Sequence, residues 1–338
     1  YSSNLEMPFF LLIFLQEFSN KVFESLQKYF GEGYSGRINK VKKNNGIILT
    51  GISVFKYGNN LSPTVYMEGF YSRYKDGEVL AQLVHEIILI FEKNSANLSL
   101  DISFFESYEK VKDNIVCKLI NFERNKELLM EVPYEMFNDL AIVYYYLLPD
   151  GILSDSGESV DGCMASILIH STHLAMWKID EDIIKADALE NTERIMGRLF
   201  QGMDQVLLSM MVEKIMLQDR CPSSEEDIEE KAREILSDMF GNYTPPMYIL
   251  SNTSKQNGAA ALLYDGIMKD ISETIKSGFY VLPSSIHEVI IVPDNICDDV
   301  DTLKGMVKEV NSRELDPSEV LSENIYYYSS DKGVLEVI

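Results

Sequence analysis

The sequence has little positive charge. Its 338 residues include 30 Lys and Arg against 53 Asp and Glu, which gives a net charge of −23 at pH 7. Such an excess of negative charge repels the phosphates of nucleic acids and the head groups of anionic lipids. We therefore expect neither a nucleic-acid partner nor a membrane partner.

Cysteine is scarce as well, and its spacing matches no familiar cysteine site. The four residues contain no CxxC pair, which argues against a zinc knuckle and against the disulfide framework of a small secreted protein. Their positions are Cys117, Cys163, Cys221 and Cys297. This usage is typical of a protein kept in a reducing cytoplasm.

The N-terminal apolar run is not expected to be a signal peptide or a membrane span. The apolar run 7–15 resembles the core of a signal peptide, but no Lys or Arg precedes it and no small-x-small cleavage site follows. Apolar residues continue at helical spacing through Phe18, Val22 and Phe30. This predicts one amphipathic helix that ends near Gly31, and the run is too short to cross a bilayer.

What the sequence does have is enough apolar material for a sizeable core. A hydrophobic fraction of 46% and an aromatic fraction of 11% indicate a globular protein of one large or two moderate domains. The order β-β-α recurs along the chain, which predicts an α/β (α+β) fold with mixed sheets and helices on their faces. We expect three parts: 1–97 with the N-terminal helix and a β-β-β-α unit, 98–245 with acidic helices, and 246–338.

Hydrophobic periodicity predicts the individual elements. Strands are expected at 37–41, 47–55, 64–67, 140–148, 165–170, 247–250, 259–264 and 326–328. Helices are expected at 78–92, 123–131, 180–196, 206–217, 225–240, 265–277 and 299–313. The first two strands flank Asn44-Asn45-Gly46, a strong hairpin signal. The helix 78–92 should bury the face formed by Val79, Leu83, Ile87 and Ile90.

The segment 279–294 predicts a buried hairpin around which the rest of the chain is organised. Two apolar runs meet at Pro283-Ser284-Ser285, and Pro293 stops the second run, 286–292. Because the runs are almost continuously apolar, we expect both faces to be covered and the second strand to be interior. His287 and Glu288 would then point to opposite faces of that strand.

Several segments together resemble a known family. They are NKVKKNNGIILTGISV (39–54), NLSPTVYMEGFYSRYKDGE (60–78), KLINFERNKELL (118–129), VPYEMFNDLAIVYYYL (132–147), PMYILSN (246–252), FYVLPSSIHEVIIVP (279–293) and LSENIYYY (321–328). The chain resembles an uncharacterised family, a domain of unknown function, from anaerobic gut bacteria of the Firmicutes. More distantly, the order of 138–147, 166–177 and 188–195 is similar to YtpQ-like bacterial proteins. The resemblance implies a bacterial cytoplasmic protein and supplies no activity or site residues.

Two motif-like segments have simpler structural explanations. Residues 31–36 read GEGYSG, but a dinucleotide-binding GxGxxG follows a strand and opens a helix, whereas this one follows a helix and opens a strand. Its glycines are expected to cap the helix. His85 and Glu86 lack the second histidine of an HExxH motif, since Leu89 stands there.

Two polar segments invite a functional interpretation without the motif that would support it. Ser284 and Ser285 lie near His287, but no GxSxG elbow accompanies them, so they are expected to be turn residues. The acidic segment 150–161 offers oxygen ligands for calcium but lacks the ligand spacing of a calcium loop. A solvated loop is the favoured interpretation.

The best candidate site is a small group of histidines and one tryptophan. His173 and Trp177 are one helical turn apart and share a face, with His170 three residues before His173. Structurally, His173 would cap the helix or pack under the indole, and His170 would end a strand. Functionally, a metal site would need a third ligand, for which His287 or Glu288 is the obvious distant source.

These observations leave two classes of function. The favoured one is an interaction module without catalysis, which contacts a basic protein through sheet edges, the tyrosines 144–146 and 326–328, and the acidic helix 225–234. The alternative is a metal-assisted hydrolase that uses His170, His173, His287 and Glu288. A weaker third idea is an acidic surface that mimics nucleic acid. No cofactor is expected, and the protein should be a monomer or weak dimer.

Overall fold

The structure is a computed structural model, and it describes residues 9–59, 62–93, 102–148, 166–218, 224–240, 246–297 and 299–338. The acidic segment 150–161, with Cys163 and Cys221, lies outside the described residues. Contacts divide the chain into unit 1, Tyr1–Lys110 with Leu147–Ile167, and unit 2, Val111–Tyr146 with Leu168–Ile338. The division into three parts predicted from the sequence stays a prediction, because contact density is a different criterion from independent folding.

Unit 1 is built on a three-stranded antiparallel sheet with helices on one face. Its elements are α1 (Phe9–Phe30), β1 (Tyr34–Lys42), β2 (Ile48–Lys56), β3 (Thr64–Tyr66), α2 (Met67–Lys75) and α3 (Leu80–Lys93). The strand order is β1-β2-β3. The core consists of Leu15, Phe18, Val22, Leu26, Ile52, Val65, Met67, Leu83, Val84, Ile87, Ile88 and Phe91.

Two predictions for unit 1 are confirmed. The first helix ends at Phe30 and is followed by a short 3-10 turn, so GEGYSG follows a helix and leads into a strand. The predicted hairpin pairs β1 with β2 antiparallel. At its turn Asn45 and Gly46 adopt φ values of 60° and 69°, a backbone conformation that Asn and Gly tolerate best.

Two other predictions for unit 1 are wrong in detail. Apolar patterning predicts that Met67 ends the third strand, but it is the first residue of α2, a helix that the patterning does not predict. The predicted buried face of the next helix includes Val79, yet this residue precedes α3 and is 58% exposed. Leu83 and Ile87 are buried as predicted, Ile90 is partly buried against the core, and Val84, Ile88 and Phe91 complete the buried face of α3.

A four-stranded sheet begins the second part of the fold. Its strands are β4 (Ile115–Asn121), β5 (Tyr134–Phe137), β6 (Leu140–Leu147) and β7 (Ser166–Leu168), preceded by the short helix α4 (Tyr108–Val111) and interrupted by α5 (Lys126–Leu129). The order is β4-β6-β5, and β7 pairs with β6. Helices α6 (Ser171–Trp177) and α7 (Glu181–Met196) follow.

A six-stranded antiparallel sheet forms the C-terminal part of unit 2, in the order β13-β12-β10-β11-β9-β8. Its strands are β8 (Leu199–Gly202), β9 (Tyr248–Ser251), β10 (Phe279–Leu282), β11 (Val289–Pro293), β12 (Tyr326–Ser329) and β13 (Val334–Val337). Its helices are α8 (Met203–Gln218), α9 (Glu225–Phe240), α10 (Ile267–Ile275) and α11 (Val300–Arg313).

The predicted hairpin lies in the interior of this sheet, as expected. Strand β11 pairs with β10 on one side and with β9 on the other. On one face Leu282 and Val292 pack with Leu303 and Val307 of α11. Side chains of the other face are buried too, including Val289, which has no exposed surface. Both faces are therefore covered.

The α+β class is confirmed, with three antiparallel sheets rather than mixed ones among the described strand pairs. Two elements differ from prediction. The segment 259–264 is not a strand, because Gly258–Leu263 forms a buried 3-10 helix whose small side chains allow close packing. The second strand of the hairpin begins at Val289, so His287 and Glu288 precede β11 and do not alternate within it.

Candidate functional site

His170, His173 and Trp177 come together, and they build the start of α6. His170 is the N-cap residue, and its backbone N–H donates to Nδ1 of His173 at 3.0 Å. The His173 ring lies 5.7 Å from the rings of both His170 and Trp177, and Trp177 is 8% exposed. Burial, followed by the charge of His170, lowers the pKa of His173. The neutral imidazole of His173 therefore accepts the backbone N–H of the N-cap residue and so completes the cap of α6.

His287 and Glu288 belong to a second polar cluster, just before β11. The backbone N–H of His287 donates to Ser285 Oγ at 3.0 Å, and its Nδ1 accepts from the backbone N–H of Asn257 at 3.3 Å. Its Nε2 lies 3.6 Å from Oε1 of Glu319. Burial raises the pKa of Glu288, and Glu319 adds to that rise, while His287 opposes it. His287 thus holds the segment before β11 in place.

The four residues of the proposed metal site do not form one. In the described ranges, no three His, Cys, Asp or Glu side chains are grouped so that they could hold a metal ion. His173 caps a helix, and His287 fixes the segment before β11. The hydrolase alternative is therefore not favoured.

The tyrosine clusters are largely buried. Tyr144 and Tyr146 are 2% and 3% exposed, and Tyr326 and Tyr328 are 0% and 5% exposed. The hydroxyl of Tyr326 donates to Asp139, whose second oxygen accepts from Ser322 Oγ at 2.7 Å and Asn324 Nδ2 at 2.9 Å. Burial and Asp139 raise the pKa of Tyr326. These rings are core and not a recognition surface.

One polar cleft of about 320 Å³ lies where α7 crosses the start of β4. Its central side chain, Asn191, donates to the carbonyls of Lys112 and Ile115, and Arg194 donates to the carbonyl of Asp113. These donors satisfy backbone acceptors at the start of the strand. The cleft therefore has a structural explanation.

Helix α8 carries apolar side chains on two opposite sides. One side packs on α9 and consists of Leu208, Met211, Val212 and Ile215, against Ile228, Ala232 and Ile235. The opposite side, which we call the outer stripe, consists of Met203, Met210 and Leu217 at seven-residue spacing. Met210 is 61% exposed and Leu217 is 82% exposed. A helix with apolar side chains on two opposite sides ordinarily has both sides covered, and the described residues cover only the side that packs on α9.

Helix α9 is polar on the side that faces away from α8. Glu226, Asp227, Glu230 and Glu234 are exposed there, and we call them the acidic face. Ile228 and Ala232, which pack on α8, are each two residues from members of the acidic face. Two residues correspond to a rotation of about 200° around a helix, so the acidic face lies opposite the packed side. The α8–α9 hairpin therefore presents an apolar surface on one side and an acidic surface on the other. The periodicity of the sequence indicates both apolar stripes of α8, but it does not indicate which of the two packs on α9.

Comparison with known proteins identifies a family. The model of a family of unknown function, DUF5688, matches residues 15–330. The chain belongs to this family. No curated protein and no solved structure matches it. The predicted resemblance to an uncharacterised domain family is thus confirmed at the level of DUF5688, which assigns no activity to any residue.

None of the described helices combines the length and the apolar content that crossing a bilayer requires.

Proposed function

We propose that this DUF5688 protein is an interaction module without catalysis, and that it binds a basic protein partner through the α8–α9 hairpin. The observation that carries the proposal is the exposed outer stripe of α8. Its side chains lie opposite the stripe that packs on α9, so the packing of the hairpin itself does not explain them. Exposed apolar surface of this kind marks protein–protein contacts.

The apolar contact supplies affinity. Fully covering an exposed Met or Leu side chain contributes about 1.5–3 kcal/mol, before the cost of association. Methionine also adapts its shape to different partners, because its side chain is unbranched and polarizable. The outer stripe therefore suits a partner that offers an apolar helix or loop.

The charge of the hairpin supplies selectivity. The acidic face of α9 carries four carboxylates, with Lys231 and Arg233 only at its two margins, and the chain as a whole has a charge of −23. Opposite charges accelerate the encounter of two proteins, and like charges disfavour the binding of wrong partners. The acidic face lies on the other side of the hairpin from the outer stripe, so it attracts a partner over a distance and does not share the apolar contact. A basic partner segment with an apolar face that covers the outer stripe is the best match.

The setting of the proposal is the bacterial cytoplasm, as implied by the resemblance to proteins of gut Firmicutes and YtpQ-like proteins. Cysteine usage supports a reducing compartment. The protein would act as a monomer or a weak dimer, so the hairpin is free to engage a different chain.

Peptide binding tests the proposal. A labelled 14-residue amphipathic peptide of Leu and Lys is titrated with the protein, and a Leu and Glu peptide serves as the negative probe. We expect the basic peptide to bind, with an affinity that falls as salt rises, because the acidic face attracts it. Met210→Gln with Leu217→Gln should weaken binding at least tenfold, and Glu230→Lys with Glu234→Lys should weaken it as well.

Matched variants elsewhere control for general effects. Met130→Gln with Met136→Gln removes two other exposed methionines, 79% and 46% exposed, and should leave binding unchanged. Asp331→Lys with Glu336→Lys alters the net charge equally outside the hairpin. Equal binding of both peptides, or outer-stripe variants that alter only self-association in sedimentation, would contradict the proposal.

A further inference from the structure

The sheet of unit 1 has charge of a single sign. Between Gly33 and Met67 the sequence contains five basic residues and no acidic residue. Glu32 and Glu68 bracket this stretch, and the rest of the chain is strongly acidic. The basic positions are Arg37, Lys40, Lys42, Lys43 and Lys56. The chain of net charge −23 therefore has a locally basic region on β1, the following turn and the end of β2.

Strand β1 lies at the edge of that sheet. It is nine residues long and pairs with β2, and in the described part of the chain no second strand pairs with it. Lys43 N donates to Ile47 O at 2.7 Å, and Tyr57 N donates to Gly33 O at 3.1 Å. These bonds fix the register, so odd-numbered residues of β1 bond to β2. The backbone groups of Gly36, Ile38 and Lys40 point away from the sheet.

Basic side chains lie on both faces beside this edge. Arg37 is exposed on one face, 5.0 Å from the centre of the Phe55 ring. Lys40 and Lys42 are exposed on the other face, and Lys40 donates to Thr50 Oγ1 at 2.7 Å. A strand added next to β1 would therefore have basic side chains of β1 beside it on both faces of the sheet. Opposite charges on directly facing strand residues stabilise a sheet.

We propose that β1 binds an extended acidic segment of a protein partner, which adds to the sheet as a fourth strand. Among the described strands only β2 pairs with β1, so the other edge of β1 can supply main-chain hydrogen bonds, and the basic side chains select for acidic residues. The interaction uses no residue of α8 or α9, so it stands or falls independently of the hairpin.

The same charges exclude other occupants. Lysine on an edge strand protects proteins from edge-to-edge association, because a second copy would place like charges opposite each other. An acidic strand meets no such repulsion. A nucleic acid could contact the basic side chains but would not form main-chain hydrogen bonds with the strand edge. A long nucleic acid would also reach the acidic remainder of the chain, whose net charge of −23 repels phosphates. A short acidic peptide uses both features.

A nine-residue fluorescein-labelled peptide with Glu at every second position, alternating with Val and Thr, is the probe for fluorescence anisotropy. We expect it to bind and the corresponding Lys peptide not to bind. Lys40→Glu with Lys42→Glu should weaken binding at least tenfold. The matched control, Lys21→Glu with Lys28→Glu on α1, makes the same change in net charge away from the edge and should bind like wild type. Thermal melting verifies that both variants fold.

N-methylation of the peptide tests strand addition itself. Only alternate N–H groups of an added strand face β1. Methylating one alternate set should therefore abolish binding, and methylating the other set should leave it within about threefold of the unmodified peptide. Equal binding of the two methylated peptides would overturn strand addition. The acidic-peptide proposal would be overturned if the acidic peptide did not bind. It would also be overturned if only a nine-nucleotide oligo-dT bound and the Lys40→Glu with Lys42→Glu variant lost that binding.

Discussion

Gly258 lies where its own segment, the end of β9 and the segment before β11 meet. A Cβ at this position would overlap Ser251 Oγ and the carbonyl oxygen of His287, and it would lie 2.8 Å from the backbone nitrogen of Asn252. Two of these atoms belong to the backbone, so making room for a side chain would require a shift of the main chain. The glycine allows β9 to pack against the segment before β11.

Gly258→Ala and Gly305→Ala should therefore have effects of opposite sign. Gly258→Ala overpacks a tight site and should lower the free energy of unfolding by about 1–3 kcal/mol. Gly305 lies in α11, and a methyl group added there would have no neighbouring atom within 4 Å, so Gly305→Ala should raise it by about 0.5–1 kcal/mol through helix propensity. Urea denaturation measures both, and destabilisation by Gly305→Ala would contradict this picture of α11.

Val289→Asp tests the interior position of β11. Val289 is fully buried and pairs with Leu250 of β9, so an unpaired carboxylate there should cost about 3–5 kcal/mol. Val334 in the edge strand β13 is 46% exposed, and Val334→Asp serves as the control, with a cost of about 1 kcal/mol or less. Equal melting temperatures for the two variants would show that β11 is not interior.

At the scale of elements, α6 depends on an imidazole where helices ordinarily use Glu or Gln. In the capping box, the third helical residue accepts the N–H of the N-cap residue, and His173 does this through Nδ1. Only the neutral ring has a free acceptor at Nδ1. Protonation of His173 therefore removes the cap of α6.

The pH dependence of α6 follows from the lowered pKa of His173. Its ordinary value is 6.5, so the unfolded chain takes up the proton first as the pH falls. The stability that the cap provides, about 1 kcal/mol, is present above that value and is lost as the pH falls through the lower folded-state value. The fluorescence of Trp177, the single tryptophan, should change with a midpoint below 6.5.

His173→Gln is the matched control for this titration. Glutamine keeps the capping hydrogen bond and carries no titratable group, so the fluorescence change should disappear while the melting temperature is retained. His170→Gln removes the neighbouring charge that lowers the pKa of His173, and it should shift the midpoint upward. An unchanged titration in His173→Gln would show that another group is responsible.

At the scale of the whole molecule, excess negative charge opposes the folded state. A charge of −23 produces self-repulsion in the compact chain. Ion pairs of the described residues have partly or fully exposed side chains, such as Arg73 (43%) with Glu78 (32%) and Lys185 (39%) with Glu135 (41%). Pairs of this kind contribute at most about 1 kcal/mol each, so screening them costs little.

Salt should therefore stabilise the protein at neutral pH. Raising NaCl from about 0.05 to about 0.5 M at pH 7 shortens the Debye length and should raise the melting temperature, by about 2–4 °C for each kcal/mol gained. Near the isoelectric point of about 4.5 the effect should vanish, because the net charge is then close to zero. A melting temperature that falls with salt at pH 7 would mean that ion pairs outweigh the repulsion.

The sequence by itself determined the α+β class, the Asn45-Gly46 hairpin, the helices α9 and α11 and the buried hairpin of β10 and β11. These features depend on local preferences: turn conformation, capping and the period of apolar residues. It also indicated that His173 and Trp177 share a face, because that follows from helical geometry alone.

Only the tertiary structure decided the rest. Asp139 binds Tyr326, which lies 187 residues away, and the segment 259–264 becomes a 3-10 helix because its small residues pack against neighbouring elements. His173 and His287 each take a separate structural role. Among the described residues, Met210 and Leu217 of the outer stripe are exposed and β1 lies at the edge of its sheet, which is why we propose both as binding surfaces. Periodicity specifies that an apolar face exists, whereas contacts distant in sequence decide whether that face is buried.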